Sequence, residues 1–333
     1  MPQTKFRATI RLTTLAILTL LLAFTPHLSA QSATRQLPRH RPFGSRSQSG
    51  APAGAPTGLG NNPILLINDP VGIANQYPAS INDKGKIVGL VSLPDGSFQG
   101  YELQGATFKE IRYPGAASSG AFGINKSGLI IGVYCIDADC NGQTGGFALK
   151  GKNFTSIDFP GGMNTGPYGV NASGDIVGEY QTPDSIIHGF MLHKGVYTNI
   201  DVPAAWGANE NLPFSINKQG TIVGGYGTSD GGGHGFVLQN GTYIQVDYPG
   251  AKGTELLGIN DSGDIVGSYT DVDDDHSHAF LLSGGVFTPF DVPFPGSIST
   301  VLQSINNNHQ IVGSFGSYGP EQPDYSFGFL TTY

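Results

Sequence analysis

The chain has 333 residues, of which only 13% are charged and 50 are glycine. Typical domains have about 25% charged residues and about half this share of glycine, and no window here shows the apolar period of a helix. Residues 61–333 contain all 25 acidic residues and 10 basic ones, a net charge of −15, which repels phosphate backbones and excludes nucleic acid as an expected partner.

The N-terminal residues 1–30 have the order of a secretory signal peptide. Three basic residues precede the apolar run 12–24, and residues 28–30, Leu-Ser-Ala, offer a small-residue cleavage site. The run has 13 residues, too few to cross a bilayer as a helix. We expect a secreted or periplasmic protein that does not span the membrane after cleavage; an uncleaved anchor is the alternative.

Residues 31–60 are rich in Pro, Gly, Ala, Ser and Gln and contain no acidic residue. Such a segment buries too little apolar surface to offset its ordering entropy, so it is predicted to be a disordered linker. Short apolar alternations separated by Gly, Pro and Asn follow it. They predict a single all-β domain over residues 61–333.

The domain consists of six copies of one motif, Ile-Asn-x-x-Gly-x-Ile-Val-Gly-x-Tyr, best seen in residues 259–269. The repeat Asn recurs every 43 or 46 residues, at Asn82, Asn125, Asn171, Asn217, Asn260 and Asn306. Each copy supplies four strand signals, and Asn-x-x-Gly predicts a type I turn between the first two. His309 replaces the turn Gly in the sixth copy, where we expect a strained but intact turn.

The two ends of the array indicate how it closes. The last copy ends after its third strand, at residues 329–333, whereas residues 64–70 resemble a fourth strand without a copy of its own. Pairing of these ends predicts a six-bladed β-propeller closed by its N- and C-terminal strands, which removes exposed sheet edges. Two β-trefoils of three copies each are the alternative.

The repeat also resembles the bacterial extracellular HAF-repeat family. Its signature is present at His278-Ala279-Phe280, and variants occur at residues 188–190 and 234–236. In the other three copies the His is replaced by Gln99, Gly145 and Phe327. The resemblance covers about 270 residues and implies an extracellular location and repetition. It brings no established activity or catalytic residue.

Loop lengths distinguish the two faces of such an array. The turns between strands one and two and between strands three and four have constant lengths, whereas the other two connections vary. The varying connections share one face, which we expect to bind the ligand. Side chains present once in most copies are predicted to be structural: Asp158, Asp201, Asp247 and Asp291, with His188, His234 and His278.

Candidate binding residues lie where a copy departs from the repeat. Trp206 and Glu210 occupy a lengthened connection, and Tyr318 and Tyr325 lie in the long loop of the sixth copy. An aromatic side chain there can stack on a sugar or anchor a protein, or simply pack its own loop.

Two further departures concern crosslinks and metals. Cys135 and Cys140 are the only cysteines, and in an exported protein a disulfide between them is expected. Asp271, Asp273 and Asp275 have the spacing of a calcium loop, but His276 stands where that loop requires Gly. No cofactor is therefore expected; calcium is the one candidate, and a solvated acidic turn is the alternative.

Enzyme signatures are absent: there is no Gly-x-Ser-x-Gly elbow, His-Glu-x-x-His pair, phosphate-binding glycine loop or lone cysteine nucleophile. The sequence therefore favours a secreted, monomeric, non-catalytic binding or scaffold module for carbohydrate or for a cell-envelope or extracellular protein. The alternative is a polysaccharide-acting hydrolase or lyase that combines carboxylates of distant copies, for example Glu179, Glu210 and Asp273.

Overall fold

A computed structural model describes residues 59, 62–67, 75–137, 140, 144–273, 276–319 and 322–333, with the backbone alone at 317–319 and 322–325. The predicted signal peptide and most of the predicted linker lie outside these residues. Leu59, near the end of the predicted linker, is buried in the same apolar cluster as Ile64. Within the described ranges, no helix is long and apolar enough to cross a membrane.

The structure is all-β, with strands numbered here in chain order. The first strands of the copies are β2 (Gln76–Ile81), β6 (Ser118–Ile124), β10 (Met163–Val170), β14 (Ala208–Ile216), β18 (Gly253–Ile259) and β22 (Ser297–Ile305). The second strands are β3 (Ile87–Ser92), β7 (Leu129–Cys135), β11 (Ile176–Gln181), β15 (Ile222–Thr228), β19 (Ile265–Thr270) and β23 (Gln310–Gly319).

The third strands are β4 (Phe98–Gln104), β8 (Thr144–Lys150), β12 (Ile187–His193), β16 (Gly233–Gln239), β20 (Ser277–Ser283) and β24 (Gln322–Thr332). The fourth strands are β5 (Thr107–Ile111), β9 (Asn153–Ile157), β13 (Val196–Asn199), β17 (Thr242–Gln245) and β21 (Val286–Phe290). The short β1 (Leu65–Leu66) precedes them all, and a 3-10 turn, Ala204–Trp206, precedes β14.

Within a copy, successive strands pair antiparallel, and single parallel bridges such as Ile187 to Glu210 connect neighbouring copies. The second strands are buried on both sides because copies pack against both of their faces; all six residues of β11 are buried. The Gly that recurs in the second strand of every copy is required because the backbone of the adjacent strand lies very close to it. A Cβ added at Gly132 would lie 2.0 Å from the carbonyl oxygen of Gly120 on the adjacent strand.

The repeat Asn closes the first turn of each copy. The Oδ1 atom of Asn82 accepts hydrogen bonds from the backbone N–H groups of Lys84 and Lys86, at 3.0 and 3.1 Å. Gly85 adopts a φ of 71° at the turn, and His309 adopts 59° at the same position of the sixth copy. The N–H of His309 donates to the carbonyl of Asn306, so the turn with His is intact, as expected.

The same Asn side chains connect neighbouring copies. In the first four copies the Nδ2 group donates to the backbone carbonyl of the next repeat Asn, at 2.9–3.3 Å: Asn82 to Asn125, Asn125 to Asn171, Asn171 to Asn217, and Asn217 to Asn260. Asn306 donates in the same way to Asn82, 224 residues earlier, at 2.9 Å. Asn260 instead donates to Asp264, and the fifth and sixth copies are joined by Asp261 and Asn307.

The chain ends meet in one sheet. β1 pairs antiparallel with β24 at the position of a fourth strand, placing Leu65 opposite Leu330 and Leu66 opposite Phe329. Ile64 and Ile67, on either side of β1, are only 4% and 8% exposed. The first and sixth copies are therefore neighbours both at this sheet and at the Asn306 to Asn82 hydrogen bond.

Candidate functional site

We call the side of the array that carries the Asn turns the constant-turn face and the opposite side the variable face. First strands run from the variable face to the constant-turn face, because each ends at its repeat Asn. Three glutamates lie toward the variable end of their strands: Glu179 on β11, Glu210 on β14 and Glu255 on β18. Together with Tyr168 on β10 they form what we call the glutamate site.

Each glutamate breaks the repeat symmetry. Glu179 follows the Gly of the second strand, where the other copies have Leu90, Val133, Gly225, Ser268 and Ser314. Glu255 lies opposite Ser268 in the β18–β19 pair, where the other first strands have Tyr77, Gly120, Gly166, Leu212 and Val301. A role shared by all copies cannot explain side chains that occur in only one.

Glu179 is buried, with 6% of its surface exposed. Its Oε1 accepts a 2.7 Å hydrogen bond from the Tyr168 hydroxyl, whereas its Oε2 is buried without a partner among the described residues. Burial raises the pKa of Glu179 to about 8; the Tyr168 hydrogen bond opposes this rise, and the charge of Glu210 adds to it. The carboxyl group is therefore largely protonated at neutral pH.

Glu210 and Glu255 are half-buried. Burial raises the pKa of both, and the charge of Glu210 raises that of Glu255 further. Glu210 thus acts electrostatically on both of the other glutamates. A glycine of β15 makes room for Glu210, since a Cβ at Gly227 would lie only 3.2 Å from Oε2 of Glu210.

An apolar cluster supports the site from below. The Tyr168 ring lies between Phe122 and Phe214 of the neighbouring copies, with both ring centroids 5.7 Å away. The same cluster contains Leu90 and Val133, which occupy the Glu179 position in their own copies. The low-polarity surroundings explain why burial dominates the pKa of Glu179.

Glu210 is the predicted binding residue that lies in this site, whereas Trp206 packs against aromatic rings of its own copy. The Trp206 ring centroid lies 5.4 Å from that of Tyr226 and 6.4 Å from that of Tyr243. Four other copies place an aromatic ring against the equivalent second-strand side chain: Tyr113 on Tyr134, Phe159 on Tyr180, Tyr248 on Tyr269 and Phe294 on Phe315. Trp206 therefore fills a repeated structural position rather than standing free in its loop.

For the remaining candidates the structure shows only local contacts, or their side chains lie outside the described residues. Tyr318 and Tyr325 are in the backbone of β23 and β24, and their side chains are outside the described residues. Asp271 accepts a hydrogen bond from the N–H of Asp273 within a local turn, and Asp275 is outside the described residues. In the described part of the chain, no group of three or more His, Cys, Asp or Glu side chains is arranged to hold a metal ion.

The repeated His and Asp residues, which their periodicity predicts to be structural, pair with each other in three copies. Nδ1 of His188 lies 2.8 Å from Asp201, and the other Asp201 oxygen accepts from the N–H of Gly189. The pairs His234 with Asp247 and His278 with Asp291 repeat this contact. Asp158 has Gly145 in place of the His, and burial raises its pKa. A disulfide joins Cys135 and Cys140 at the variable end of β7.

No family model matches the chain, and no curated protein matches it. Among solved structures, AofleA from Arthrobotrys oligospora is 13% identical, covering 84% of this chain and 88% of its own, with a TM-score of 0.49. A fucose-specific lectin from Aleuria aurantia is 11% identical over 83% and 97%, with a TM-score of 0.45. A gluconolactonase from Xanthomonas campestris is 11% identical over 86% and 94%, with a TM-score of 0.45. Similarity at this level identifies neither a ligand nor a reaction.

Proposed function

We propose that the six copies are the blades of one closed propeller that acts as a secreted binding module. The hydrogen bond from Asn306 to Asn82 and the pairing of β1 with β24 support closure, since both join the first copy to the sixth. The bond from Asn171 to Asn217 joins the third copy to the fourth in the same way as the other bonds between copies. Two separate trefoils of three copies each would not be expected to have this bond between them. Secretion rests on residues 1–30 and on the resemblance to the HAF repeats.

We infer that the ligand binds at the glutamate site. The observation that supports this is the meeting of three symmetry-breaking glutamates from consecutive copies at one end of the ring. Glu210 and Glu255 are half-buried acceptors with raised pKa, and Glu179 behind them has an unpartnered oxygen. Such a set accepts hydrogen bonds from hydroxyl or ammonium groups, and binding them relieves the cost of burying carboxylates together. A carbohydrate presents these groups in quantity.

A polysaccharide hydrolase or lyase is the second candidate, and one observation favours it. Glu179, with a pKa of about 8, is a proton donor at neutral pH and lies near Glu210. Pairs of carboxyl groups with separated pKa values serve as acid and base in glycoside cleavage. Burial of Glu179 behind Tyr168 counts against it, because a general acid must reach the leaving-group oxygen.

The two candidates are separated by testing the full secreted chain against soluble neutral, acidic and amino polysaccharides. Retention and release of shortened products are measured for the wild type, Glu210→Gln and Glu179→Gln. Glu110→Gln is the matched control, because Glu110 is exposed on β5 and pairs with Arg112. A binding module retains a polysaccharide, releases nothing, and loses retention in Glu210→Gln but not in Glu110→Gln.

Two results would contradict the binding module. Product release by the wild type that disappears in Glu179→Gln, with retention unchanged, would establish the hydrolase or lyase. Retention that is unaffected by both Glu210→Gln and Glu179→Gln would show that the ligand binds elsewhere.

A further inference from the structure

A cavity of about 790 Å³ opens at the constant-turn face, opposite the glutamate site. The repeat Asn residues surround it, and the residues that follow them form its rim: Asp83, Lys126, Ala172, Lys218, Asp261 and Asn307. Lys84 also lines the mouth. Three of the ten basic residues of the folded domain therefore gather at one opening of a protein whose domain charge is −15.

In one half of the rim, each backbone N–H group donates a hydrogen bond to a carboxylate or amide oxygen of another rim residue. The backbone N–H of Lys218 donates to Asp261 at 2.9 Å, that of Asp261 donates to Asn307 at 2.8 Å, and that of Asn307 donates to Asp83 at 3.0 Å. In each case the acceptor is the rim side chain of the next copy. Asn307 also donates from Nδ2 to both aspartates, which satisfies their remaining oxygens.

The other half of the rim lacks these acceptors. The side chains next to the N–H groups of Asp83, Lys126 and Ala172 are Lys126, Ala172 and Lys218, and none of these can accept a hydrogen bond. No described residue accepts from these three N–H groups in their place. Ala172 is small and exposed and has a lysine on each side, so the gap it leaves is open and flanked by basic residues; the Lys126 ammonium group also lies 3.9 Å from Oδ2 of Asp83.

We propose that this half of the rim binds a small multivalent anion with carboxylate or phosphate groups. One anionic group takes the position at Ala172 that the Asp261 carboxylate takes at Lys218, accepting from the N–H of Lys126. The Lys126 and Lys218 ammonium groups neutralise it, and Lys84 contacts a second group. The hydrogen bond from the Lys218 N–H to the Asp261 carboxylate thus gives the geometry expected for the bound anion.

The test uses the full secreted chain with citrate as the carboxylate probe and inorganic tripolyphosphate as the phosphate probe. Binding is measured by calorimetry, with sodium chloride at matched ionic strength as reference because exposed charges are screened by salt. We expect saturable binding of at least one probe, and which one binds identifies the anionic group. Lys126→Gln/Lys218→Gln should weaken it about tenfold or more, since hydrogen bonds to charged groups are lost. Lys109→Gln is the matched control, because Lys109 is an exposed residue of β5 that does not line the cavity.

Ala172→Asp supplies the missing carboxylate within the chain. It should abolish binding of both probes and raise the melting temperature of the unliganded protein, as an occupied site does. The proposal is overturned if neither probe has an effect beyond that of sodium chloride, or if Ala172→Asp binds the probe as the wild type does. Because this site lies opposite the glutamate site, either result leaves the polysaccharide experiment unaffected.

Discussion

The repeat Asn turns and the glutamate site lie at opposite ends of the same strands, and they use the six-fold repetition in opposite ways. At the turns, one buried side chain per copy makes nearly the same hydrogen bonds six times. At the glutamate site, equivalent positions hold Leu90, Val133, Glu179, Gly225, Ser268 and Ser314. Repetition here identifies side chains that every copy needs to fold, and departures from it identify side chains that serve one place.

The comparison breaks most severely if the proposed ring is opened, because both the Asn turns and the glutamate site would depend on its closure. Deleting residues 61–70 removes β1 and the buried Ile64 and Ile67. Loss of two buried isoleucines costs on the order of 5 kcal/mol or more, so we expect aggregation or a much lower midpoint in chemical denaturation. The control is Leu65→Ser, since Leu65 is 38% exposed. A deleted protein that unfolds like the wild type would rule out closure through β1.

The glutamate site should lower the free energy of unfolding, in contrast to the Asn turns, and its contribution should depend on pH. Folding raises the pKa of Glu179 from its ordinary 4.5 to about 8, so the folded state binds the extra proton between these values. The free energy of unfolding should therefore fall as pH rises from about 4.5 to about 8, by on the order of 5 kcal/mol from this group.

Glu179→Gln should flatten that dependence and be more stable than the wild type at pH 8. Urea denaturation at several pH values measures both effects, with Glu110→Gln as control. Parallel pH curves for Glu179→Gln and the wild type would show that the carboxyl group is not held protonated by folding.

Substitution of a turn Asn should lower the stability, whereas Glu179→Gln should raise it at pH 8. Two of the turns can be compared directly. Asn217→Ala removes two bonds within its turn and one to the next copy, for a cost of about 2–3 kcal/mol. Asn260→Ala also removes two turn bonds, but its Nδ2 group bonds locally to Asp264. We expect it to cost at least as much as Asn217→Ala, because the bond that it loses to Asp264 has a charged acceptor. A loss for Asn217→Ala of only about 1 kcal/mol in thermal denaturation would show that its bond to the next copy contributes nothing.

The smallest effect concerns the disulfide, which lies on the variable face and occurs in one copy only. The loop from Cys135 to Cys140 is short, so Cys135→Ala/Cys140→Ala should cost about 2 kcal/mol by the loop-entropy estimate. Mass spectrometry of the secreted protein without reductant checks the bond itself. Two free thiols in that sample would show that the pair is not bridged.

Sequence reasoning found what repeats and only part of what does not. The turn Asn residues, the tolerated His309 and a structural role for the repeated His and Asp follow from periodicity, because six copies of one environment select the same residue type. Glu179 and Glu210 were named among carboxylates that distant copies could combine. Glu255 and Tyr168 were missed because each looks like an ordinary strand residue in its own copy. Only alignment of the first strands against each other, position by position, distinguishes Glu255 from the Tyr77, Gly120 and Leu212 that replace it elsewhere.

Trp206 shows the reverse case. As the single tryptophan it looked like an exception, yet it restores a repeated contact. The fourth copy has Val202 before its proline where other copies have Tyr113 or Phe159, and Trp206 supplies the missing ring to Tyr226. The substitution moves the aromatic four positions along the chain, so a fixed spacing cannot detect it.

The meeting of the chain ends in one sheet has a consequence for connectivity. The Thr331 hydroxyl donates to the carbonyl of Pro63 at 3.3 Å, so a short peptide would suffice to join residue 333 to residue 62. The bond from Asn306 to Asn82 is as short as that from Asn125 to Asn171, so the closing junction is equivalent to an internal one. A circularly permuted chain that begins at Gly195, in the turn between β12 and β13, would retain every strand pairing described above. For the proposed ring, the position of the first residue would be a property of the gene and not of the fold.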